Sequence, residues 1–290
     1  MYLWGTEVCK IIIKRKIAPG VISLEVEAPL VAKKARAGQF IILMTDEKGE
    51  RIPLTIADCD RKKGLVRTVF EVVGKTTEKL SKMKEGDELF SFVGPLGKPS
   101  EIEKYGTVVA VGGGTGIASV YPIARGLKEA GNRVIAIIGA KTRDSLIMEE
   151  EMKKASAELL ITTDDGSYGT KGLVTEALGE VLRKDKDVKK VWAVGPAMMM
   201  KAVCDVTRPH NVETIVSLNA IMVDGTGMCG TCRVTVGGET KFTCVDGPEF
   251  NGHLVDWAEF INRLNRYREQ EKFSFEIYKK RKGEVRKRPR

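Results

Sequence analysis

The sequence lacks the features of a membrane or secreted protein. No apolar run approaches the roughly 18 residues that a membrane-spanning helix needs, and no signal peptide opens the chain. Three of the six cysteines, Cys9, Cys59 and Cys204, have no partner at a recognisable spacing. We therefore expect reduced cysteines, a cytoplasmic protein and no association with membranes.

The chain also has little with which to build a hydrolytic site. It has only two histidines, His210 and His253, and no Ser–His–Asp or Cys–His combination suggests itself. Both histidines are predicted to be surface or packing residues. No side chain is therefore expected to act as the catalyst, and the chemistry must come from cofactors.

Positive charge is abundant but concentrated at one end. The formal net charge is +9, of which +7 lies in residues 279–290 and only +2 in the other 278 residues. The body of the protein shows no basic face, so we do not expect nucleic-acid binding. The tail is predicted to be a solvated, disordered end or, alternatively, a segment that docks on an acidic partner subunit.

What the chain does have is a glycine-rich loop with three cysteines and one aspartate. The pattern is Asp-x4-Cys-x2-Cys-x11-Cys, formed by Asp224, Cys229, Cys232 and Cys244. Plant-type [2Fe–2S] loops share the C-x4-C-x2-C spacing, and small residues let such a loop direct backbone N–H groups at the sulfurs. A zinc site is the alternative, although zinc sites usually pair two Cys-x2-Cys knuckles and only one is present. The spacing favours an iron–sulfur centre and therefore electron transfer.

Residues before about position 100 form short β-rich runs separated by turn signals. Segments 21–26, 39–44 and 66–73 are predicted strands, and 76–83 is the one helical stretch. This pattern predicts an antiparallel barrel or sandwich.

From Thr107 onward, apolar strands alternate with helices. Predicted strands lie at 108–112, 134–139, 159–162 and 191–195, and predicted helices at 117–130, 148–155 and 173–183. Continuous apolar strands between helices indicate a parallel, doubly wound sheet with both faces covered. After the cysteine loop, an amphipathic stretch spans 254–267.

Three turns of the α/β region are candidate nucleotide-binding loops. The turn 112–116 joins the first strand to its helix, where glycines let a pyrophosphate approach the backbone and the helix N-terminus. It is neither the G-x-G-x-x-G pattern nor a P-loop, and tight strand–helix turns also need glycine. The turns 164–167 and 195–199 follow later strands, at the edge where open α/β sheets bind ligands.

A further candidate lies in the β-rich region, in the run Arg51-Ile-Pro-Leu-Thr55. A guanidinium beside a hydroxyl can hold a phosphate or the edge of a flavin ring through charge-assisted hydrogen bonds. Taken alone, the run is more typical of a salt-bridged turn.

The β-rich region and the motifs that follow it, taken in their order along the chain, resemble the ferredoxin-NADP reductase superfamily. The resemblance rests on residues 51–55, 74–77, 94–97, 112–116 and 195–199. The added cluster loop, with 244–248 and Phe250, is similar to the electron-transfer subunit of dihydroorotate dehydrogenase B. It is also similar to the small subunit of the bifurcating NADH-dependent reduced ferredoxin:NADP oxidoreductase, also labelled sulfide dehydrogenase. Asp224 stands at the first Cys position of the dihydroorotate subunits, which favours the bifurcating family.

The resemblance implies FAD, a [2Fe–2S] cluster and NAD(H), with NADP(H) as the alternative nucleotide. The FAD-binding residues that it implies are Arg51, Pro53, Leu54, Thr55, Val72, Gly74, Thr76 and Thr77, with Thr76 where dihydroorotate relatives usually have Gly. The NAD-binding residues are Gly112, Gly113, Gly114, Thr115, Gly116, Asp165, Gly166, Ser167, Gly195, Pro196 and Met199. The cluster ligands are Asp224, Cys229, Cys232 and Cys244, with an Asx turn into Gly225 as the alternative role of Asp224.

The implied function is hydride exchange between NAD(H) and FAD, followed by single-electron transfer through the cluster. The electrons would pass to a larger subunit with flavin and iron–sulfur clusters, and indirectly to ferredoxin, in a heterodimer. The dihydroorotate dehydrogenase B subunit is the alternative within enzymes. A zinc-stabilised, nucleotide-binding scaffold protein is the alternative from another class.

Four domains are expected along the chain. They are a FAD-binding barrel over 1–100, an NAD(P)-binding α/β domain over 101–212, a [2Fe–2S] domain over 213–253, and an amphipathic helix with a basic tail over 254–290.

Overall fold

The computed structural model describes residues 9–287, and side chains as far as residue 280. The first part of the chain forms seven strands, β1 (Cys9–Ala18), β2 (Val21–Glu27), β3 (Phe40–Met44), β4 (Ile52–Asp60), β5 (Leu65–Glu71), β6 (Glu88–Leu89) and β7 (Ser91–Leu96). Their order is β6-β1-β2-β5-β4-β3-β7, and every neighbouring pair is antiparallel. Two helices accompany them, α1 (Pro29–Lys34) and α2 (Lys75–Lys82). The predicted antiparallel barrel is confirmed.

Strand β3 shows why this part of the chain is so apolar. Ile41 and Leu43 point into the barrel core. Phe40 and Ile42 belong instead to the core shared by the α/β part and the segment that carries Cys232 and Cys244, which we call the cluster segment. Because successive side chains of a strand point to opposite faces, a strand covered on both sides must be apolar at every position.

The second sheet is α/β. Its strands are β8 (Thr107–Gly113), β9 (Arg133–Ala140), β10 (Glu158–Thr163), β11 (Thr170–Lys171), β12 (Val188–Val194), β13 (Glu213–Ser217) and β16 (Glu249–Asn251). The order is β11-β10-β9-β8-β12-β13-β16, with parallel pairs throughout except for β16, which runs antiparallel to β13. The strand order reverses between β8 and β12, the place where open α/β sheets bind nucleotides.

Helices cover both faces of this sheet, as predicted. They are α3 (Gly116–Glu129), α4 (Glu149–Ala155), α5 (Val174–Lys184) and α6 (Ala197–Thr207). Val108 and Ala110 of β8 belong to the core beneath α3 and α4, and Val109 and Val111 to the core beneath α5 and α6. The sheet is therefore doubly wound.

Between β13 and β16 the chain makes the cysteine loop and a small hairpin. The hairpin strands are β14 (Arg233–Val236) and β15 (Glu239–Phe242), and a short helix α7 (Thr243–Asp246) carries Cys244. Gly237 and Gly238 connect the strands with φ values of 61° and 80°, the left-handed conformation that a tight two-residue hairpin turn requires.

The cluster segment is anchored to the connector that follows the barrel. The backbone N–H of Lys98 donates to the carbonyl of Gly247 at 2.6 Å, and the Ser100 hydroxyl donates to Glu249 Oε1. Burial raises the pKa of the Glu249 carboxyl to about 7. These contacts hold the end of the cluster segment against both the barrel and the α/β sheet.

Two helices follow, α8 (Trp257–Leu264) and α9 (Arg268–Lys287). The predicted amphipathic stretch over 254–267 is therefore wrong in its bounds, because Asp256 caps α8 by accepting a hydrogen bond from the Glu259 N–H at 2.9 Å. The prediction of a disordered tail is also wrong as far as residue 287, because α9 continues through it; residues 288–290 lie outside the described chain. Over 9–287 no helix is long and apolar enough to cross a membrane.

Candidate functional site

The barrel and the α/β sheet enclose a cleft of about 600 Å³. Pro53, Leu54 and Thr55 line it from β4, and residues 113–116 line it from the turn after β8. Its third side is residues 217–220 and Met222, which lead from β13 into the cysteine loop. The predicted flavin, nucleotide and cluster regions therefore meet in one place.

A larger cavity, about 950 Å³ in volume, lies next to this cleft at the edge of the barrel. Pro53, Val73, Thr77 and Met222 line both, so the two cavities adjoin, and we refer to them together as the channel. Small-molecule sites usually occupy about 300–1,000 Å³. A channel of this extent fits a dinucleotide such as FAD.

Three predicted flavin residues stand at the N-terminus of α2. The hydroxyl of Thr77 accepts hydrogen bonds from the N–H groups of Val73 and Gly74 at 3.1 and 3.0 Å. Thr76 is buried and donates to Glu50. Gly74, Thr76 and Thr77 all line the larger cavity, together with Arg51.

Val72 has a different position. It packs against the barrel core, and its N–H donates to the carbonyl of Gly20 at 2.8 Å. Val73, which is 68% exposed, lines the channel instead. Successive residues in extended backbone point to opposite sides, and the sequence pattern did not fix which of the two faces the cleft.

The glycines of the turn 112–116 are needed for different local reasons. A Cβ on Gly112, Gly113 or Gly116 would collide with other parts of the protein, and at Gly116 with the backbone of Val194. A Cβ on Gly114 would meet nothing within 4 Å, and its φ is 56°. Gly114 is therefore the glycine of this turn whose missing side chain leaves room for a ligand.

A third cavity, about 540 Å³, continues along the carboxyl ends of the parallel strands. It shares residues 113–115 and Pro196 with the first cleft and extends past Lys141, Asp164 and Met199. Its position at the switch point of the sheet suits a nicotinamide dinucleotide. Gly195 lies in the first cleft and packs against the Met199 side chain.

Asp165, Gly166 and Ser167 form a self-contained turn beside this cavity. Asp165 Oδ1 accepts hydrogen bonds from the N–H and the hydroxyl of Ser167 at 2.9 and 2.7 Å, and these bonds lower the pKa of Asp165. The Ser167 hydroxyl accepts from the N–H of Arg143 at 2.8 Å. The neighbouring Asp164, rather than these three residues, lines the cavity.

In the cysteine loop, two predicted ligands lie side by side. The sulfur atoms of Cys232 and Cys244 are 3.2 Å apart, both residues are buried, and the N–H of Cys244 points at the sulfur of Cys232 at 3.5 Å. Cys229 is exposed. Backbone N–H groups aimed at sulfur are typical of iron–sulfur sites, so the thiols and this contact fit a [2Fe–2S] cluster.

Asp224 organises the loop. Its Oδ1 accepts from the N–H of Thr226 and its Oδ2 from the N–H of Cys229, both at 2.8 Å, and these bonds lower the pKa of the carboxyl. Over the described residues, no three His, Cys, Asp or Glu side chains converge closely enough to hold a metal ion. The described loop thus pairs two of the four predicted ligands and connects the other two through a backbone hydrogen bond.

Two family models match the chain. Residues 219–256 match the iron–sulfur cluster binding domain of dihydroorotate dehydrogenase B, and residues 110–205 match an oxidoreductase NAD-binding domain. A dihydroorotate dehydrogenase B (NAD(+)) electron transfer subunit homolog of Thermotoga maritima is 55% identical over 97% of this chain and 99% of its own.

The chain belongs to the family of dihydroorotate dehydrogenase B electron-transfer subunits and their homologues. The corresponding subunit of Desulforamulus reducens is 32% identical over 86% of this chain and 97% of its own. A chain from the structure of NADH-dependent reduced ferredoxin-NADP oxidoreductase, studied for flavin-based electron bifurcation, has a TM-score of 0.89 and 54% identity. The match covers 95% of this chain and 99% of that one. The family resemblance and the fold class predicted from the sequence are confirmed.

Proposed function

We propose that this protein exchanges hydride between NAD(H) and FAD and passes single electrons through a [2Fe–2S] cluster to a larger redox subunit. The single observation that carries the proposal is the cleft lined jointly by β4, the turn after β8, residues 217–220 and Met222. A redox group held there adjoins both the nucleotide cavity and the segment that leads to the cysteines. The resident flavin and cluster supply the chemistry, and the protein supplies position and surroundings.

The proposed flavin site is the channel along the barrel. Pro53, Leu54 and Thr55 would hold the ring system in the cleft, and Arg51 would hold the phosphates by charge-assisted hydrogen bonds. Gly74, Thr76 and Thr77 would line the phosphate end. Support comes from the channel itself, which reaches from β4 to the N-terminus of α2. Val72 packs against the barrel core and would support the flavin site from there.

The proposed nicotinamide site runs over residues 112–116 towards Pro196 and Met199. The open position at Gly114 supports it, because a pyrophosphate must approach the backbone closely there. Asp165, Gly166 and Ser167 would form the outer rim through the turn that they share with Arg143. We propose NAD(H) as the nucleotide and retain NADP(H) as the alternative. The cavity is lined both by Asp164, an acid of the kind that binds a ribose 2′-OH, and by Lys141, a cation of the kind that binds a 2′-phosphate.

We propose Cys229, Cys232, Cys244 and Asp224 as the cluster ligands. Burial, together with the adjacent Cys232 sulfur, raises the pKa of the Cys244 thiol, so cluster binding must displace a proton from that sulfur. The two Asp224 oxygens each accept one backbone hydrogen bond, and a carboxylate oxygen has a further lone pair for a metal.

The partner is proposed from the relatives. Two of them are named as electron-transfer subunits or homologues of such subunits, which implies a larger redox subunit and a heterodimer. The likeness at 54% identity to the NADH-dependent reduced ferredoxin-NADP oxidoreductase structure favours that assembly, with ferredoxin as an indirect partner. The dihydroorotate dehydrogenase B assembly is the second candidate, because Desulforamulus reducens has a 32% identical subunit of that name.

We propose a cytoplasmic location. We also retain the division into 1–100, 101–212, 213–253 and 254–290 as a division by function. Strands β13 and β16 belong to the same sheet as β8, so the cluster domain is joined to the nucleotide domain through shared strands.

The spectrum of the purified protein tests the proposal. We expect it to be brown-yellow, with flavin and iron–sulfur absorption that NADH diminishes under anaerobic conditions. A colourless protein that contains zinc would support the scaffold protein instead. Identification of the subunit that co-purifies from the native host separates the two candidate assemblies.

A further inference from the structure

The last helix packs against the barrel beside the proposed flavin site. On α9, Ser274, Phe275 and Tyr278 are half-buried, whereas Phe273 is 66% exposed. The ammonium group of Lys82, in α2, lies 5.4 Å from the centre of the Tyr278 ring. One face of α9 is therefore turned towards α2, the helix whose N-terminus opens into the larger cavity of the channel.

The same face of α9 forms a wall of that cavity. The cavity is lined from α9 by Arg268, Glu271, Lys272, Ser274 and Phe275, together with Arg51 and the N-terminus of α2. Positions three and four residues apart lie on one side of a helix, so these side chains form a continuous surface. The helix lies beyond residues 219–256, which the cluster-domain model matches.

The side chains around this cavity carry more positive than negative charge. Arg51, Lys75, Arg268 and Lys272 line it with only two carboxylates, Glu50 and Glu271. Glu50 is already engaged, since Lys75 lies 3.8 Å from it and Thr76 donates to it. Among the side chains described, those of Arg51, Arg268 and Lys272 take part in no ion pair or hydrogen bond. The surplus of two positive charges matches the two negative charges of a diphosphate.

We propose that α9 is part of the flavin site: Arg268 and Lys272 bind the diphosphate of FAD together with Arg51, and the helix holds the cofactor in by closing that end of the channel. The inference rests on the proposed flavin site. It adds to that site two residues outside the segments that resemble the reductase superfamily. It also gives the part of α9 that precedes the basic tail a role within the chain.

Affinity for FAD in the full chain tests this directly. Apoprotein is titrated with FAD, and the dissociation constant is read from the change in flavin fluorescence. Lys272→Ala and Arg268→Ala should each raise the dissociation constant about tenfold, equivalent to ~1.4 kcal/mol, with a smaller effect at high salt. Lys280→Ala, on the same helix but outside the cavity, is the matched control and should change it less than about twofold.

A second measurement separates binding from folding. The melting temperature of the apoprotein should be the same in all four proteins, because alanine is a good helix former. Added FAD should raise it less in the two cavity variants than in the wild type and Lys280→Ala. Equal loss of affinity in Lys280→Ala would overturn the proposal, because it would show a general effect of charge.

Arg51→Ala distinguishes failure of this inference from failure of the proposed function. If the wild-type chain binds no FAD, the proposed flavin site itself is wrong. If Arg51→Ala weakens FAD binding while both α9 variants bind as the wild type does, the flavin site stands and only the role of α9 is wrong.

Discussion

The two glycine-rich loops of this protein have their glycines for different reasons. In the turn 112–116, side chains at Gly112, Gly113 and Gly116 would collide with neighbouring protein atoms. In the cysteine loop, Gly225, Gly227 and Gly230 have φ values of 77°, 87° and 66°, a conformation that other residues adopt at a cost. The first loop is thus shaped mainly by packing and the second by the path of its backbone. A glycine-rich motif therefore indicates a ligand only where packing does not already require the glycine.

The largest effect is expected where packing requires glycine. Gly116→Ala places a methyl group against the backbone of Val194, which cannot move aside without disturbing β12. We expect a loss of about 3 kcal/mol in the free energy of unfolding, measured by urea denaturation. Gly179→Ala, inside α5 and without such a collision, is the control and should be neutral or slightly stabilising. Equal stability of the two variants would show that Gly116 is not constrained by packing.

Asp224 tests the second loop. Asp224→Ala removes a proposed ligand together with both backbone hydrogen bonds of the carboxylate, and we expect most of the cluster to be lost, as measured by iron content and visible absorption. Asp224→Cys should keep the cluster with a shifted spectrum and altered electron transfer, since the ligand tunes the potential.

Asp224→Asn separates the two roles of this residue. It keeps one oxygen that can accept a backbone hydrogen bond and loses the charge. A full and spectrally unchanged cluster in the Asn or Ala variant would remove Asp224 from the ligand set, and with it the main residue-level reason for preferring the bifurcating family.

Gly114 is the exception in the first loop, since its side-chain position is open. Gly114→Val should weaken NADH binding at least about tenfold while FAD remains bound, because a branched side chain occupies the path of the pyrophosphate. Valine at a φ of 56° also strains the backbone. Gly86→Val, with a φ of 90° and equally open surroundings, is the control for that strain. Normal reduction of the flavin by NADH in Gly114→Val would place the nucleotide elsewhere.

Much of the fold and of the candidate site could be predicted from the sequence. The parallel strands, the turn after β8 and the cysteine loop are each determined by residues close together in the chain. Other features depend on contacts between distant segments. Val73 rather than Val72 faces the cleft, Asp164 rather than Asp165 lines the nucleotide cavity, and residues 217–220 form a wall without any motif.

The C-terminal helix shows the same limit most clearly. Composition marked residues 279–290 as a basic tail, but no pattern showed that the part of α9 before it lies on the barrel, where Tyr278 contacts Lys82 of α2 and Phe275 lines the larger cavity. Only the folded barrel provides the surface on which α9 lies. Amphipathic spacing shows that a helix has an inner face, and it cannot show which surface that face covers.

The smallest effect is expected from the end of the tail. Deletion of residues 279–290 should weaken association with the larger subunit a few-fold at low salt, because seven net positive charges are removed, and the effect should shrink as salt is raised and screens the attraction. The association is measured by titration at several ionic strengths. A chain with the lysines and arginines of this segment changed to glutamine should behave like the deletion. Unchanged affinity across ionic strengths would leave the tail without a role in docking.

In the proposed route, electrons pass from the nucleotide through the cleft to the cysteine loop, and anaerobic reduction with NADH shows whether they do. Flavin absorbance and the electron paramagnetic resonance signal of the reduced [2Fe–2S] cluster are followed together in the wild type and in Gly114→Val. We expect NADH to bleach the flavin and the cluster signal then to appear in the wild type, with both changes much weaker in Gly114→Val at the same NADH concentration. A bleached flavin beside a cluster that stays oxidised would contradict this route.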